Sequence, residues 1–220
     1  MKVEYVMKMG GSILYETEKT CKLLEILANS RQKNIVYTIG SGYLGEVYKS
    51  WSNDSSMPFD ISAKCWSNIQ SINANIISSL NDKFVVCEDV EEIEQTLKDG
   101  KRPIIDARAF HNEFKDSKYQ TTDVRSAILC KKLECKNLVI ITDVNGIYTE
   151  DPKKVNTSKK IERINANELL KLGRTSVDRG LAEKLIEYGI DGYVVGLDTL
   201  IQEQEIKGKE TLEKGTVIEH

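Results

Sequence analysis

The chain alternates short, nearly uninterrupted apolar runs with longer amphipathic segments, and this alternation limits its fold more than any other feature. The runs are Val3–Met9, Asn34–Ile39, Phe84–Cys87, Pro103–Ala107, Asn137–Thr142 and Asp191–Val195. Rich in Val and Ile and too short for helices, they suit strands buried on both faces, as in a parallel sheet covered by helices. Between them, Ile61, Cys65, Ile69, Ile72, Ile76 and Leu80 recur at steps of three and four, which draws one apolar stripe on a helix. Such a stripe packs either onto the sheet or, flanked by Trp66, against the same helix of a second copy. Val90, Ile93 and Leu97 mark a shorter helix with Asp89 placed to cap it. The expectation is an α/β fold, a three-layer αβα sandwich around an open, mainly parallel sheet.

At 220 residues the chain amounts to about one and a half domains of ~150 residues. A single domain spanning 1–220 fits, with the long turn-rich segment 143–160 dividing it into lobes of residues 1–135 and 136–220. The 31 basic and 34 acidic side chains leave a net charge of −3, which argues against a nucleic-acid binder. No apolar run approaches the ~18 residues of a membrane span, and the N-terminus lacks a signal-peptide core. Five cysteines without a CxxC pair read as reduced residues of a cytoplasmic protein. Only His111 and His220 are present, so a Cys/His metal centre has almost no ligands to draw on.

Three motifs carry chemistry. Lys8-Met9-Gly10-Gly11-Ser12 runs a strand into a glycine turn whose backbone can approach an anion, with Lys8 near the strand's carboxyl end. Gly40-Ser41-Gly42-Tyr43-Leu44-Gly45 is formally a G-x-G-x-x-G, with Asp60 about twenty residues on as an acid for a ribose or another substrate group. It follows the second strand, so the physical expectation is a phosphate or carboxylate cradle at a helix mouth rather than a dinucleotide site. Thr121-Thr122-Asp123 opens a helix. Thr122 or Asp123 there serves as N-cap, or the aspartate orients a lysine or holds magnesium. After the strand ending at Thr142, the segment from Asp143 through Tyr148 and Asp151 to Lys154 offers groups for a ribose, a base and phosphates. No Walker A sequence occurs.

In order and spacing, Lys8–Ser12, Gly40–Gly42, Thr121–Asp123 and Thr142–Tyr148 through Asp151-Pro152 resemble the amino acid kinase superfamily. The wording is most similar to its uridylate kinase branch, and Lys207-Gly208 with Gly215–Ile218 looks like that family's C-terminal turn. The resemblance implies transfer of the γ-phosphoryl group of Mg-ATP to a small-molecule phosphate or carboxylate acceptor, in a homodimer or homohexamer. Residues 1–135 would form the acceptor side and 136–220 the ATP side. Carried over, Lys8, Gly10, Gly11 and Ser12 cradle the transferring phosphates, and Thr142, Asp143, Tyr148 and Asp151 hold the adenosine. Gly40, Ser41, Gly42, Thr121 and Thr122 meet the acceptor, Asp123 positions lysines, and Lys184 matches a second phosphate lysine of the acetylglutamate kinase branch.

The chain also departs from that pattern. Uridylate kinases show three glycines where this sequence has Gly40-Ser41-Gly42, and an arginine soon afterwards, where here stand Gly45, Glu46 and Val47. A carboxylate facing an incoming phosphate repels it. The segment Lys64–Asn73 faintly resembles an archaeal branch acting on an aminomethylfuran phosphate, and molybdenum storage proteins share the fold without being kinases. The segment Arg108–Gln120, with Arg108 and His111, is expected to close over substrate.

Overall fold

The computed structural model describes every residue except Met1, Ser55, Ser56, Asp116, Tyr119, Gln120, Gly173 and Arg174, and the side chains of Asn53 and Asp54 are also left aside. Its strands are β1 (Tyr5–Met9), β2 (Ile35–Ile39), β3 (Phe84–Cys87), β4 (Arg102–Ile105), β5 (Asn137–Thr142), β6 (Ile147–Tyr148), β7 (Lys160–Ile161), β8 (Arg163–Asn165), β9 (Asp191–Gly196) and β10 (Thr216–Glu219). The helices are α1 (Thr17–Asn29), α2 (Gly42–Asp54), α3 (Phe59–Leu80), α4 (Val90–Lys98), α5 (His111–Phe114), α6 (Thr122–Lys132), α7 (Ala166–Leu169), α8 (Arg179–Tyr188), α9 (Leu197–Glu203) and α10 (Lys209–Leu212), with a 3-10 turn at Gly11–Tyr15. Eight strands form one sheet in the order β3-β4-β2-β1-β5-β9-β10-β8, parallel except where β10 runs against β9. All six strands expected from the apolar runs are present, and the αβα sandwich is the observed fold.

Period-two alternation along β1 sorts its side chains into two cores. Tyr5, Met7 and Met9 join Leu23, Leu27, Ala74, Ile77 and Leu200 beneath α1, α3 and α9. Val6 points the other way, with Ala127, Leu129, Leu181 and Leu185 of α6 and α8. Lys8 shares the face of Val6, so its side chain rises beneath the mouth of α6. The order of β1, β2 and β5 places a switch point at their carboxyl ends, where open α/β sheets leave a ligand crevice.

The helix α3 reverses the expectation that its apolar stripe packs onto the sheet. Ile61, Ile72, Ile76 and Leu80 are exposed, whereas Ala63, Ser67, Gln70, Ser71, Asn73, Ala74 and Ile77 are buried. The inward face bonds rather than merely packs: Asn73 Nδ2 donates to Gly40 O (2.7 Å) and Gln70 Nε2 to Thr122 Oγ1 (2.8 Å). Arg125 Nη1 donates to Ser67 Oγ and Gln70 Oε1. Burial lowers that guanidinium to about 10. Trp66 turns toward α2, meeting Tyr48 edge-on, instead of flanking the outer stripe.

The expected cap on α4 is present, Asp89 accepting from the Glu92 N–H at 2.8 Å. On α6 the cap position falls to Thr121, with no side-chain cap bond, so neither Thr122 nor Asp123 plays that part. Asp123 is drawn instead to Lys8. The segment read as one long loop contains the β6–β7 hairpin. Thr216 Oγ1 accepts from Ile147 N (2.7 Å) and donates to Ile161 O (2.5 Å), tying that hairpin to β10.

Candidate active site

Two glycine turns leave adjacent parallel strands side by side. A Cβ on Gly11 would stand 2.1 Å from Gly42 N, and one on Gly40 would stand 2.3 Å from Gly11 N. Backbone lies directly on backbone, a contact only glycine allows. Among the described residues none accepts from the N–H groups of Gly11, Ser12, Ser41 or Gly42. These residues line the crevice at the N-terminal, positive end of the thirteen-residue α2. Gly10 is a structural member of the turn: its N–H donates to Ile141 O at 2.8 Å.

Lys8 Nζ stands 2.8 Å from Asp123 Oδ1, with both side chains largely buried. Asp123 Oδ2 accepts the backbone N–H of Asp178 at 3.2 Å, which links the mouths of α6 and α8 across the crevice. Desolvation, then the Asp123 carboxylate, raise the Asp178 carboxyl above its usual range, against the pull of Thr121 and Lys8.

Three cavities line up over these groups. One of about 350 Å³ is walled by Thr142, Asp143, Tyr148 and Asp151 together with Lys153, Thr175 and Ser176. A middle cavity of about 740 Å³ is walled by Lys8, Ser41, Thr121, Thr122, Asp123, Thr175, Ser176, Asp178 and Arg179. The third, about 340 Å³, is walled by Lys8, Gly11, Ser12, Gly40, Ser41, Gly42 and Thr122. Thr175 and Ser176 join the first to the second; Lys8, Ser41, Glu46 and Thr122 join the second to the third. In the first, Asp143 pairs with Lys153 and accepts from Thr142 Oγ1. Desolvation works against the Asp143 carboxylate, and Lys153 and Thr142 together with a backbone bond more than offset it, leaving the pKa lowered.

Two residues named from the sequence stand apart. Lys184, one and a half turns into α8, pairs with Glu187 at 2.6 Å and lies over the Tyr188 ring, on none of these walls. The α8 mouth brings Arg179 into the crevice in its place. Asp60 is exposed in the first turn of α3, also off these walls. Glu46, noted in the sequence as a departure from the family pattern, is on the wall, whereas Lys49, Trp66, Thr175, Ser176, Asp178 and Arg179 are wall residues that motif reading did not assign to the site. One signal was available: Asp178 directly before the apolar periodicity of Leu181 and Leu185 marks a helix start. Arg108 bonds Asp106, and His111 Nδ1 meets Ser67 Oγ at 3.2 Å. The closure expected of 108–120 falls partly on Asp116, Tyr119 and Gln120, outside the described residues.

Comparison with known proteins agrees with this geometry. Residues 4–207 match the model of the amino acid kinase family. A uridylate kinase of Thermococcus sibiricus is 30% identical, the match covering 97% of this chain and 98% of the relative. A [5-(aminomethyl)furan-3-yl]methyl phosphate kinase of Methanocaldococcus jannaschii is 26% identical over 87% of each chain. Among solved structures, the UMP kinase of Ureaplasma parvum superposes with a TM-score of 0.74 at 17% identity, covering the whole of both chains. The chain belongs to the amino acid kinase family, on its uridylate kinase branch.

Proposed function

We propose that this kinase transfers the γ-phosphoryl group of ATP to a small acceptor bearing a phosphate or carboxylate. The observation that carries the reading is the Lys8–Asp123 pair at 2.8 Å, set where the cavity beneath the two glycine turns meets the middle one. ATP enters from the residue 136–220 side, its adenosine in the cavity of Thr142, Asp143, Tyr148 and Asp151. Its phosphates run past Thr175 and Ser176 toward Lys8, Gly11 and Ser12. The acceptor approaches from the 1–135 side against Gly40, Ser41, Gly42, Thr121 and Thr122. An acceptor oxygen forms a bond to the γ-phosphorus as the bond to the β,γ-bridging oxygen breaks, and that electron pair leaves with ADP. Lys8 and the open N–H groups neutralise charge on the transferring oxygens, while Asp123 fixes the position of Lys8.

Among the described residues no group of three His, Cys, Asp or Glu gathers to hold a metal alone. Mg²⁺ fits here as a companion of the nucleotide, with Asp123 and Asp178 as the nearby carboxylates; it supplies charge neutralisation on the phosphates. The exposed stripe of α3 supports a homodimer built on that helix. Among the described residues no helix is long and apolar enough to cross a membrane, and five free cysteines suit a cytoplasmic enzyme.

The test is a thermal-shift series with Mg-ATP followed by ADP release against UMP, CMP, other phosphomonoesters and amino acids. Stabilisation by Mg-ATP and turnover on one acceptor are expected. Lys8→Ala is expected to lower turnover at least about a hundredfold while Mg-ATP still binds. Full phosphotransfer in that variant refutes the reading. Mg-ATP binding without turnover on any acceptor favours a binding protein on a kinase fold.

A further inference from the structure

We propose that Arg179 is the cation that meets the γ-phosphoryl group from the nucleotide side, opposite Lys8, and that it sets the preference of this site for a nucleoside triphosphate over the diphosphate product. The proposal rests on the kinase reading above and assigns one more residue within that same site.

Placement comes first. Arg179 opens α8, directly after Asp178. The Asp178 N–H donates to Asp123 Oδ2 at 3.2 Å, and Asp123 Oδ1 stands 2.8 Å from Lys8 Nζ. Two short links therefore tie the residue before Arg179 to the Lys8 ammonium. The segment leading up to Arg179 follows the crevice. Thr175 and Ser176 wall both the nucleotide cavity and the middle one, while Asp178 and Arg179 wall the middle one. Lys8 borders the middle cavity and the cavity beneath the glycine turns, whereas Arg179 borders the middle cavity and not the other. A phosphoryl group held between the two has Lys8 on its acceptor side and Arg179 on its nucleotide side.

Charge then separates Arg179 from the other basic residues. Among the described residues, Lys8, Lys49, Lys153, Lys154 and Arg179 are the cations on the walls of the three cavities. Carboxylates already hold three of them: Asp123 holds Lys8, Asp143 holds Lys153 and Asp151 holds Lys154. Lys49 and Arg179 have no partner among the described residues. Lys49 belongs to α2, in the acceptor half, which leaves Arg179 as the unpaired wall cation of the ATP half. Its neighbour does not engage it, because the Asp178 carboxyl bonds with Thr121 and Asp123. An ammonium already offset by a carboxylate presents little net charge to an arriving phosphate. An unpaired guanidinium offers its full charge, and its planar fork matches two phosphoryl oxygens at once. A cation at that place acts on the γ-phosphoryl oxygens, which the diphosphate lacks.

The experiment compares two nucleotides that differ by the γ-phosphoryl group, the non-hydrolysable AMP-PNP and ADP, each with Mg²⁺. Binding to the full chain is measured by calorimetry. The wild-type chain is expected to bind Mg-AMP-PNP about tenfold more tightly than Mg-ADP, the scale of one hydrogen-bonded charge contact. Arg179→Ala is expected to remove most of that preference, weakening Mg-AMP-PNP about tenfold while Mg-ADP changes by less than about twofold. Arg179→Lys is expected to recover part of it, since an ammonium keeps the charge and loses the fork. Lys184→Ala, at a side chain off the cavity walls, is expected to keep the wild-type ratio. Arg179 is exposed, so its variants are expected to melt at the wild-type temperature without nucleotide. Equal wild-type affinity for the two nucleotides overturns the proposal. So does a preference that survives in Arg179→Ala, an equal loss for both nucleotides in that variant, or a preference lost in Lys184→Ala. Each of these failures leaves the kinase reading standing; binding of neither nucleotide overturns both.

Discussion

Gly11 leaves no room for even one methyl group, since a Cβ there would meet Gly42 N at 2.1 Å. Gly11→Ala must push the two turns apart, so the lining amides lose their aim. The expected outcome is a loss of about 2–4 kcal/mol of stability with turnover reduced far beyond what unfolding explains, read by calorimetry and ADP release. That Lys8, Gly11, Gly40 and Asp123 meet at one crevice was legible because each lies in a short segment at a strand end or a helix mouth. Lys184 stands off the cavity walls because spacing along the chain does not fix which side of a helix faces the cleft. A second residue-scale prediction concerns Asp106. Burial works to raise its carboxyl, but bonds from Arg108 and Ser71 prevail and bring it down to about 2. The folded value lies below the ~3.9 of an unfolded aspartate, so this group contributes stability that is fully present above pH ~4. That contribution is lost as pH falls through about 2. Asp106→Asn is expected to flatten the acid limb of a urea-stability profile between about pH 4 and 2. An unchanged limb would show that the ion pair contributes nothing to acid stability.

Among the elements, the end of α1 shows how a strand residue can complete a helix. Arg102, in β4 and buried, donates from Nε and Nη2 to Ala28 O, from Nη2 to Ser30 O, and from Nη1 to Gln32 O and Lys33 O. The last carbonyls of a helix otherwise lack donors, and a cation there also suits the helix dipole. Arg102→Met is expected to cost about 2–4 kcal/mol by orphaning buried acceptors, measured by urea denaturation. Arg102→Lys recovers little, because a single ammonium cannot span those carbonyls. The apolar run read from the sequence starts at Pro103, one residue after the arginine, and does not anticipate this role for it. The central strands were legible because burial on both faces demands uninterrupted apolar residues. The edge strand β8 and its neighbour β10 were not: Arg163–Asn165 alternates polar and apolar, and β10 is only four residues long. In α3 the helix was legible and its orientation was not, since Ser67, Gln70 and Asn73 are buried through specific partners on α5, α6 and the glycine turn.

For the whole molecule, that reversed helix determines what the surface has left to bury. Phe59 (51%), Ile61 (42%), Ile72 (50%), Ile76 (43%) and Leu80 (43%) are exposed along α3. A helix of 22 residues is about 33 Å long, enough to carry a stripe on the scale of the ~800 Å² per partner that stable interfaces bury. A two-fold pair sets the same stripe against itself, so every exposed Ile meets an apolar counterpart without a second complementary surface. The wild-type chain is therefore expected to sediment as a dimer at micromolar concentration, with a Tm that rises as protein concentration rises. The double substitution Ile72→Glu with Ile76→Glu places like charges opposite one another in that pairing. It leaves untouched the inward face of Ala63, Ser67, Gln70 and Asn73, so the chain is expected to fold, run as a monomer and lose the concentration dependence of Tm. Because Asn73 on the same helix holds the Gly40 carbonyl at 2.7 Å, separation of the pair is also expected to loosen the acceptor turn. Its signature is a rise in KM for the acceptor with KM for ATP unchanged; a wild-type monomer, or a double variant that remains dimeric, excludes this arrangement.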